Sequence, residues 1–175
     1  MIKTITIAFM LAAASAIAAD EPKTFTDEER SVAEFWQQMG PTLREEGVET
    51  YAMRYHEDFT GWDIAGSGGM ATKDNAVQYF SKFHEDGHRI TCTHVEPVTI
   101  DIKAGRAVAR LIYEQTNSYT DGRVETNAWR MVGVFERYGD TWQVLGTNMV
   151  NITPMQENDS DTPDASSRTL VCSGD

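Results

Sequence analysis

The chain has 175 residues, a formal net charge of −12 and a pI near 4.7. That length is enough for one domain with a buried core. So acidic a chain is a poor partner for phosphate backbones, which need clustered Lys and Arg, and is repelled by anionic lipid surfaces. Neither nucleic acid nor membrane is therefore expected as a partner.

Residues 1–18 read as a signal peptide. Lys3 supplies a short positive region, Ile5 to Leu11 an apolar run too short to span a bilayer, and Ala16-Ile17-Ala18 a small-x-small cleavage site. The expected location is exported, periplasmic or secreted. The spacing then predicts three helices. Thr26-Asp27-Glu28-Glu29 is a capping-box signature, followed by Val32, Phe35, Trp36, Met39 and Leu43 at helical spacing, with Gly40-Pro41 as a kink or stop. Val48, Tyr51, Ala52, Tyr55 and Phe59 fit one face of a second helix. Trp62 follows in an extended segment, Gly61 to Ala65, and Gly66-Ser67-Gly68-Gly69 reads as a flexible turn. A third helix is expected from Thr72 as N-cap to Gly87, burying Ala76, Val77, Phe80 and Phe83.

Strands come next: Arg89 to Ile102, Ala107 to Tyr119, Val124 to Arg137 and Trp142 to Ile152, joined at Lys103-Ala104-Gly105, Asp121-Gly122 and Gly139-Asp140. Helices followed by an antiparallel meander indicate an α+β domain, placed at residues 19–155. In the third of these strands Trp129, Met131 and Phe135 share one parity and Ala128, Val132 and Val134 the other. Two apolar faces call for a second cover, most simply another copy of the chain, so a homodimer through the sheet face is expected. Residues 156–175 are rich in Asn, Asp, Ser, Thr and Pro and read as an acidic, disordered tail. The two cysteines are Cys92 and Cys172; a disulfide between them and a free, buried Cys92 thiol are both open.

Three segments together resemble the nuclear transport factor 2-like superfamily, and within it the SnoaL-like and ketosteroid-isomerase-like branch. They are Tyr51 to Phe59 leading to Trp62, Thr72 to Val77, and Arg137 to Val144 with its Gly139 turn and Trp142. The resemblance implies a cystatin-like α+β barrel, a cone of three N-terminal helices packed on a curved antiparallel sheet. It also implies a pocket in the cone's mouth for a small, fairly apolar molecule, and often a dimer. Such proteins include isomerases, dehydratases and binding proteins without catalysis, so the fold leaves the reaction open.

The residue types and their spacing bear on several chemistries. His84-Glu85-Asp86-Gly87-His88 spells H-E-x-x-H, but Gly87 as a C-cap should end the helix before His88 and separate the two rings, so no metal site is expected. There is no G-x-S-x-G elbow, Lys73 is at the wrong offset from the glycines for a phosphate loop, and no cofactor is called for. General acid–base work could fall to His94, Tyr55 or Tyr113, with Asp63 and Glu114 as carboxylates. Asn148 stands where many of the resembled proteins carry a His, and Asn is not a base. Trp36 and Trp142 are assigned to the core. The ligand-binding set is Tyr55, Trp62, His94, Tyr113, Trp129 and Asn148. The expected function is binding of a small organic molecule; the alternatives are a pocket enzyme with His94 or Asp63 as general base, and an interaction module whose cone is filled.

Overall fold

Thr26 opens the first helix as its composition demands. Its hydroxyl accepts from Glu29 N at 3.2 Å while the Glu29 carboxylate accepts from Thr26 N at 2.7 Å, satisfying donors that a helix start leaves unpaired. The structure, a computed structural model, describes residues 23–62, 69–153 and 171–172. The signal peptide, Asp63 and most of the predicted tail lie outside them.

Helix α1 (Asp27–Gln37) buries Val32, Ala33, Phe35 and Trp36. The chain turns at Gln38 and resumes as α2 (Met39–Glu45), with Pro41 in the first turn, where its missing N–H breaks no hydrogen bond. Gly40 has no room for a side chain: a Cβ there would lie 2.7 Å from Thr93 Cγ2 and 2.8 Å from Ile90 Cγ2. Its bareness lets α2 settle directly on the sheet.

The expected second helix is shorter than its pattern. Only α3 (Gly47–Met53) is helical; Tyr55 and Phe59 belong to strand β1 (Tyr55–Trp62). A strand returns to the same face every second residue, so Tyr55 and Phe59, four apart, both face inward; Glu57 between them is exposed, and the resulting spacing imitates a helix. Strand β2 (Met70–Thr72) then runs into α4 (Lys73–Glu85), capped by Thr72 with Asn75. Ala76 is fully buried there, while Phe80 and Phe83 pack partly buried against the core.

The meander follows as expected: β3 (Arg89–Lys103), β4 (Arg106–Ser118), β5 (Val124–Tyr138) and β6 (Thr141–Asn151). The sheet order is β2-β1-β6-β5-β4-β3-β7, with β7 (Val171–Cys172) at the far edge. Every pairing is antiparallel except β1 with β6, which is parallel. Register shifts at Ile90/Cys92, Pro97/Thr99 and Val134/Phe135 bend the long strands over the helices. Two residues of the predicted disordered tail thus return to the sheet, Cys172 opposite Cys92 in register. Cys92 is disulfide-bonded, and Cys172 is the chain's other cysteine.

The core lies between the helices and the concave face. Phe35 and Trp36 meet Phe135 edge-on at 6.1 and 6.2 Å, over Leu111, Ile100 and Met131. Burying each such side chain is worth roughly 1.5–3 kcal/mol. Trp142 is 2% exposed and donates from Nε1 to Ser31 Oγ at 3.0 Å, tying the last hairpin to α1. The second apolar parity of β5 points outward: Val132 is 42% exposed, and across the same face so are Val108 at 43% and Trp62 at 53%.

Candidate functional site

Along the concave face of β4 and β5, the paired residues change character toward their connecting turn. Leu111 lies opposite Met131, then Tyr113 opposite Trp129, then Gln115 opposite Asn127. A strand sends every second residue to the same face, so this sequence of aliphatic, aromatic and amide pairs lies on one surface. Across from it stand Trp36 of α1, Met39 of α2, Tyr51 of α3 and Phe80 of α4. Tyr55 on β1 and Thr147, Met149 and Asn151 on β6 close the remaining side. Together they enclose a cavity of about 320 Å³, at the small end of what organic ligands occupy.

The walls are aromatic. Tyr113 and Trp129 stack with centroids 5.5 Å apart and planes at 24°, and Trp36 meets Tyr113 edge-on at 5.9 Å. Tyr51 stands edge-on to Tyr55 at 5.3 Å and to Phe80 at 5.1 Å. Among the described residues the lining holds no carboxylate, imidazole, ammonium or guanidinium. Its titratable groups are tyrosines. Burial pushes Tyr51, Tyr55 and Tyr113 well above the usual phenol range, and the neighbouring Tyr55 hydroxyl adds to the effect at Tyr51 and Tyr113. All three therefore stay protonated at neutral pH.

A directed hydrogen-bond run follows β4. The Tyr113 hydroxyl donates to Gln115 Oε1, and Gln115 Nε2 donates to Asn117 Oδ1 at 2.7 Å. At the mouth, Tyr119 donates to the Glu125 carboxylate at 3.0 Å while the Arg123 guanidinium lies 4.1 Å above its ring. The Tyr51 and Tyr55 hydroxyls share one hydrogen bond of 2.6 Å. Two polar atoms on lining residues, Trp36 Nε1 and Thr147 Oγ1, are buried and have no hydrogen-bond partner among the described residues. An unpaired buried group of this kind costs about 1–3 kcal/mol. A shallower recess adjoins the cavity and shares Tyr79 and Tyr119 with it.

The H-E-x-x-H segment is not on one helical face. His84 lies in the last turn of α4, Gly87 turns the chain at φ +83°, and His88 packs edge-on against Phe83 and Tyr119. Among the described residues no three His, Cys, Asp or Glu side chains are grouped to hold a metal ion.

No protein-family model matches the chain, and no curated protein matches it. Solved structures do. A ketosteroid isomerase-like protein from Erwinia carotovora atroseptica superposes with a TM-score of 0.57 at 16% identity, covering 74% of this chain and 100% of that one. A proposed scytalone dehydratase from Novosphingobium aromaticivorans gives a TM-score of 0.60 at 15% identity, over 72% of this chain and 85% of that one. An NTF2-like protein with a cystatin-like fold from the same species gives 0.54 at 15%, over 74% of this chain and 85% of that one. The chain shares the fold of these structures, one of them described as NTF2-like with a cystatin-like fold.

Within this cone the six expected ligand residues divide evenly. Tyr55, Tyr113 and Trp129 line the cavity. Trp62, His94 and Asn148 do not, because each sits on the opposite parity of its strand. Asn148 falls between Thr147 and Met149, which both face the cavity, and is itself exposed. His94 falls between buried Thr93 and Val95 and lies opposite Glu114. Trp62 pairs with Asn148 in register on the convex face. As a general base in the cavity, His94 and its neighbour Glu114 are therefore on the wrong side of the sheet. The amide residues Gln115, Asn117, Asn127 and Asn151 were missed. The signal for them was present: the inward parity of β4, apolar from Ala107 to Tyr113, turns polar at Gln115 and Asn117. Polar residues at core parity on a half-buried strand mark where the core gives way to a cavity.

Proposed function

We propose that this NTF2-like domain binds a small, uncharged organic molecule in its cone. The observation that carries the reading is the cavity itself, about 320 Å³, walled by aromatic rings and lined by neutral polar groups. Burying an ion there would leave its charge uncompensated, whereas a neutral ring gains apolar area and stacking on Trp129 and Tyr113. Catalysis is not part of the proposal. The cavity walls supply hydrogen-bond donors and rings, and the tyrosines are too weakly acidic to exchange protons near neutrality. Native mass spectrometry of gently purified protein, followed by thermal-shift screening with neutral aromatic molecules, tests the reading. Bound molecules should raise the melting temperature, and Thr147→Trp, which would fill the cavity, should abolish that rise. Equal shifts in wild type and variant would sink it.

Export and self-association belong to the same proposal. The N-terminal segment reads as a signal peptide, and a disulfide at Cys92 suits an oxidising compartment. Val108, Val132, Val150 and Trp62 form an exposed apolar area on the convex face of the sheet, which supports a homodimer through that face. Light scattering should give twice the chain mass, and Val132→Lys should give the monomer with ligand binding retained. A monomeric wild type at micromolar concentration would remove the dimer.

A further inference from the structure

We infer that the shallow recess beside the cavity is a second binding site, one that takes an organic cation of the alkylated ammonium class. The site is separate from the cone and does not depend on the guest proposed there: only Tyr79 and Tyr119 border both spaces. The recess, about 520 Å³, opens between α4 and the residues that flank β3 and β4. Tyr79, Lys82, Phe83 and Asp86 recur three and four residues apart, so they share one face of α4 and its C-cap. His88, just before β3, and Tyr119, just after β4, form the other side. The segment that spells H-E-x-x-H thus brings Asp86 and His88 to one recess without being a metal site.

Three rings of the recess stand like the faces of a box corner. Phe83 and His88 are 5.2 Å apart at 63°, Phe83 and Tyr119 6.2 Å apart at 77°, and His88 and Tyr119 4.9 Å apart at 62°. Tyr79 continues the wall, at 27° to Phe83 with centroids 6.5 Å apart. Aromatic faces carry negative potential, and several rings set at steep angles around one space suit an ammonium group whose alkyl substituents leave it few hydrogen bonds. His88 Nδ1 is buried with no hydrogen-bond partner among the described residues, so ring packing rather than a polar contact at that atom orients the wall. Tyr119 donates its hydroxyl proton to the Glu125 carboxylate at 3.0 Å, which makes the ring more electron-rich. That ring already attracts a cation, since the Arg123 guanidinium lies 4.1 Å from its centroid.

The protein's own cations here are offset by carboxylates. Arg123 pairs with Glu125 and Asp121, and Lys82 Nζ lies 3.0 Å from both Asp86 oxygens. The side chains of Lys82 and Asp86 are 72% and 45% exposed, and a pair so open to water holds weakly. A guest ammonium can therefore take over the Asp86 carboxylate while its alkyl groups meet the rings. The net charge of −12 draws cations toward the surface and turns anions away. A neutral guest of the same shape gains only the apolar contact.

Choline and its uncharged carbon isostere, 3,3-dimethyl-1-butanol, share an outline and differ in charge. Each is titrated into the purified chain at about pH 8, where histidine is ordinarily neutral, by calorimetry and by NMR of the aromatic side chains. Choline should bind at least about tenfold more tightly than the alcohol, with the largest shifts at the His88 and Tyr119 rings. Asp86→Asn should weaken choline about fivefold. Lys82→Gln, which frees Asp86 and removes a like charge, should strengthen it about threefold. Neither residue lines the cone, and circular dichroism checks the fold of both variants. Equal binding of choline and the alcohol overturns the cation rule. Shifts centred on Tyr113 and Trp129 overturn the location, and weaker binding by Lys82→Gln overturns the part given to Asp86. Failure of choline to bind removes the recess as a site and leaves the reading of the cone untouched.

Discussion

Three tyrosines carry much of what is distinctive at the scale of single residues. Tyr51, Tyr55 and Tyr113 are 3%, 2% and 5% exposed, and burial raises the pKa of each above the ordinary value. In the unfolded chain these phenols ionise near pH 10, but in the folded chain they resist doing so. The sign follows directly. Their contribution to stability is intact below pH 10 and is lost as pH rises above it, because the unfolded state then releases protons that the native state keeps. Urea unfolding should therefore be insensitive to these groups from pH 7 to about 9 and then weaken, by up to about 4 kcal/mol per pH unit for the three together. Tyr113→Phe should flatten that slope. Absorbance at 295 nm showing all tyrosines ionising near pH 10 in the folded protein would contradict the burial argument. At this scale, the chemistry of the site was half legible. Tyr55, Tyr113 and Trp129 could be named, but Trp62, His94 and Asn148 required knowing strand parity to one residue, and one step in register moves a side chain to the other face.

At the scale of elements, the meander was legible because each turn announces itself: Gly105, Gly122 and Gly139 all adopt positive φ. β1 was not legible, because Tyr55 and Phe59 lie two strand periods apart and Glu57 between them is exposed, so the buried positions read as a helical spacing of four. β5 also carries a constraint that pattern reading does not reveal. Gly133 sits mid-strand at core parity, and a Cβ there would lie 2.6 and 2.7 Å from the Phe135 ring. That ring, fully buried, packs against Phe35 and Trp36. Gly133→Ala should therefore push Phe135 off its position and destabilise the domain by about 1–3 kcal/mol, read as a lower urea midpoint with unchanged slope. A neutral or stabilising result would mean the ring has a free alternative rotamer. Glycine in a strand is usually a weakness; here it makes space for an aromatic residue two positions on.

For the molecule as a whole, the outermost covalent link is the most testable feature. Cys92 is disulfide-bonded, and β7 carries Cys172 beside it at the sheet's edge. A closure between them would span most of the meander and the tail, so it should restrict the unfolded chain strongly. Reduction, or Cys172→Ser, should cost about 2–5 kcal/mol and lower the melting temperature. An unchanged melting temperature in strong reductant would show that the link does no more than tether the tail. The helices-then-meander order and its cone were legible from the sequence as a whole, since the order of elements survives errors in any one boundary.

The parallel seam between β1 and β6 has a consequence for how the molecule can be divided. Tyr55 reaches the cavity from one side of that seam and Thr147 from the other, and Trp36 and Asn151 bound the lining along the chain. The contributors alternate between the early and late parts of the sequence, so no excised hairpin, helical pair or half-domain retains a working fraction of the cavity. Recombination with a relative inside this span would have to exchange both halves together. An insertion placed in a turn away from these walls should spare the cavity, and one that breaks a wall strand should destroy it as a unit.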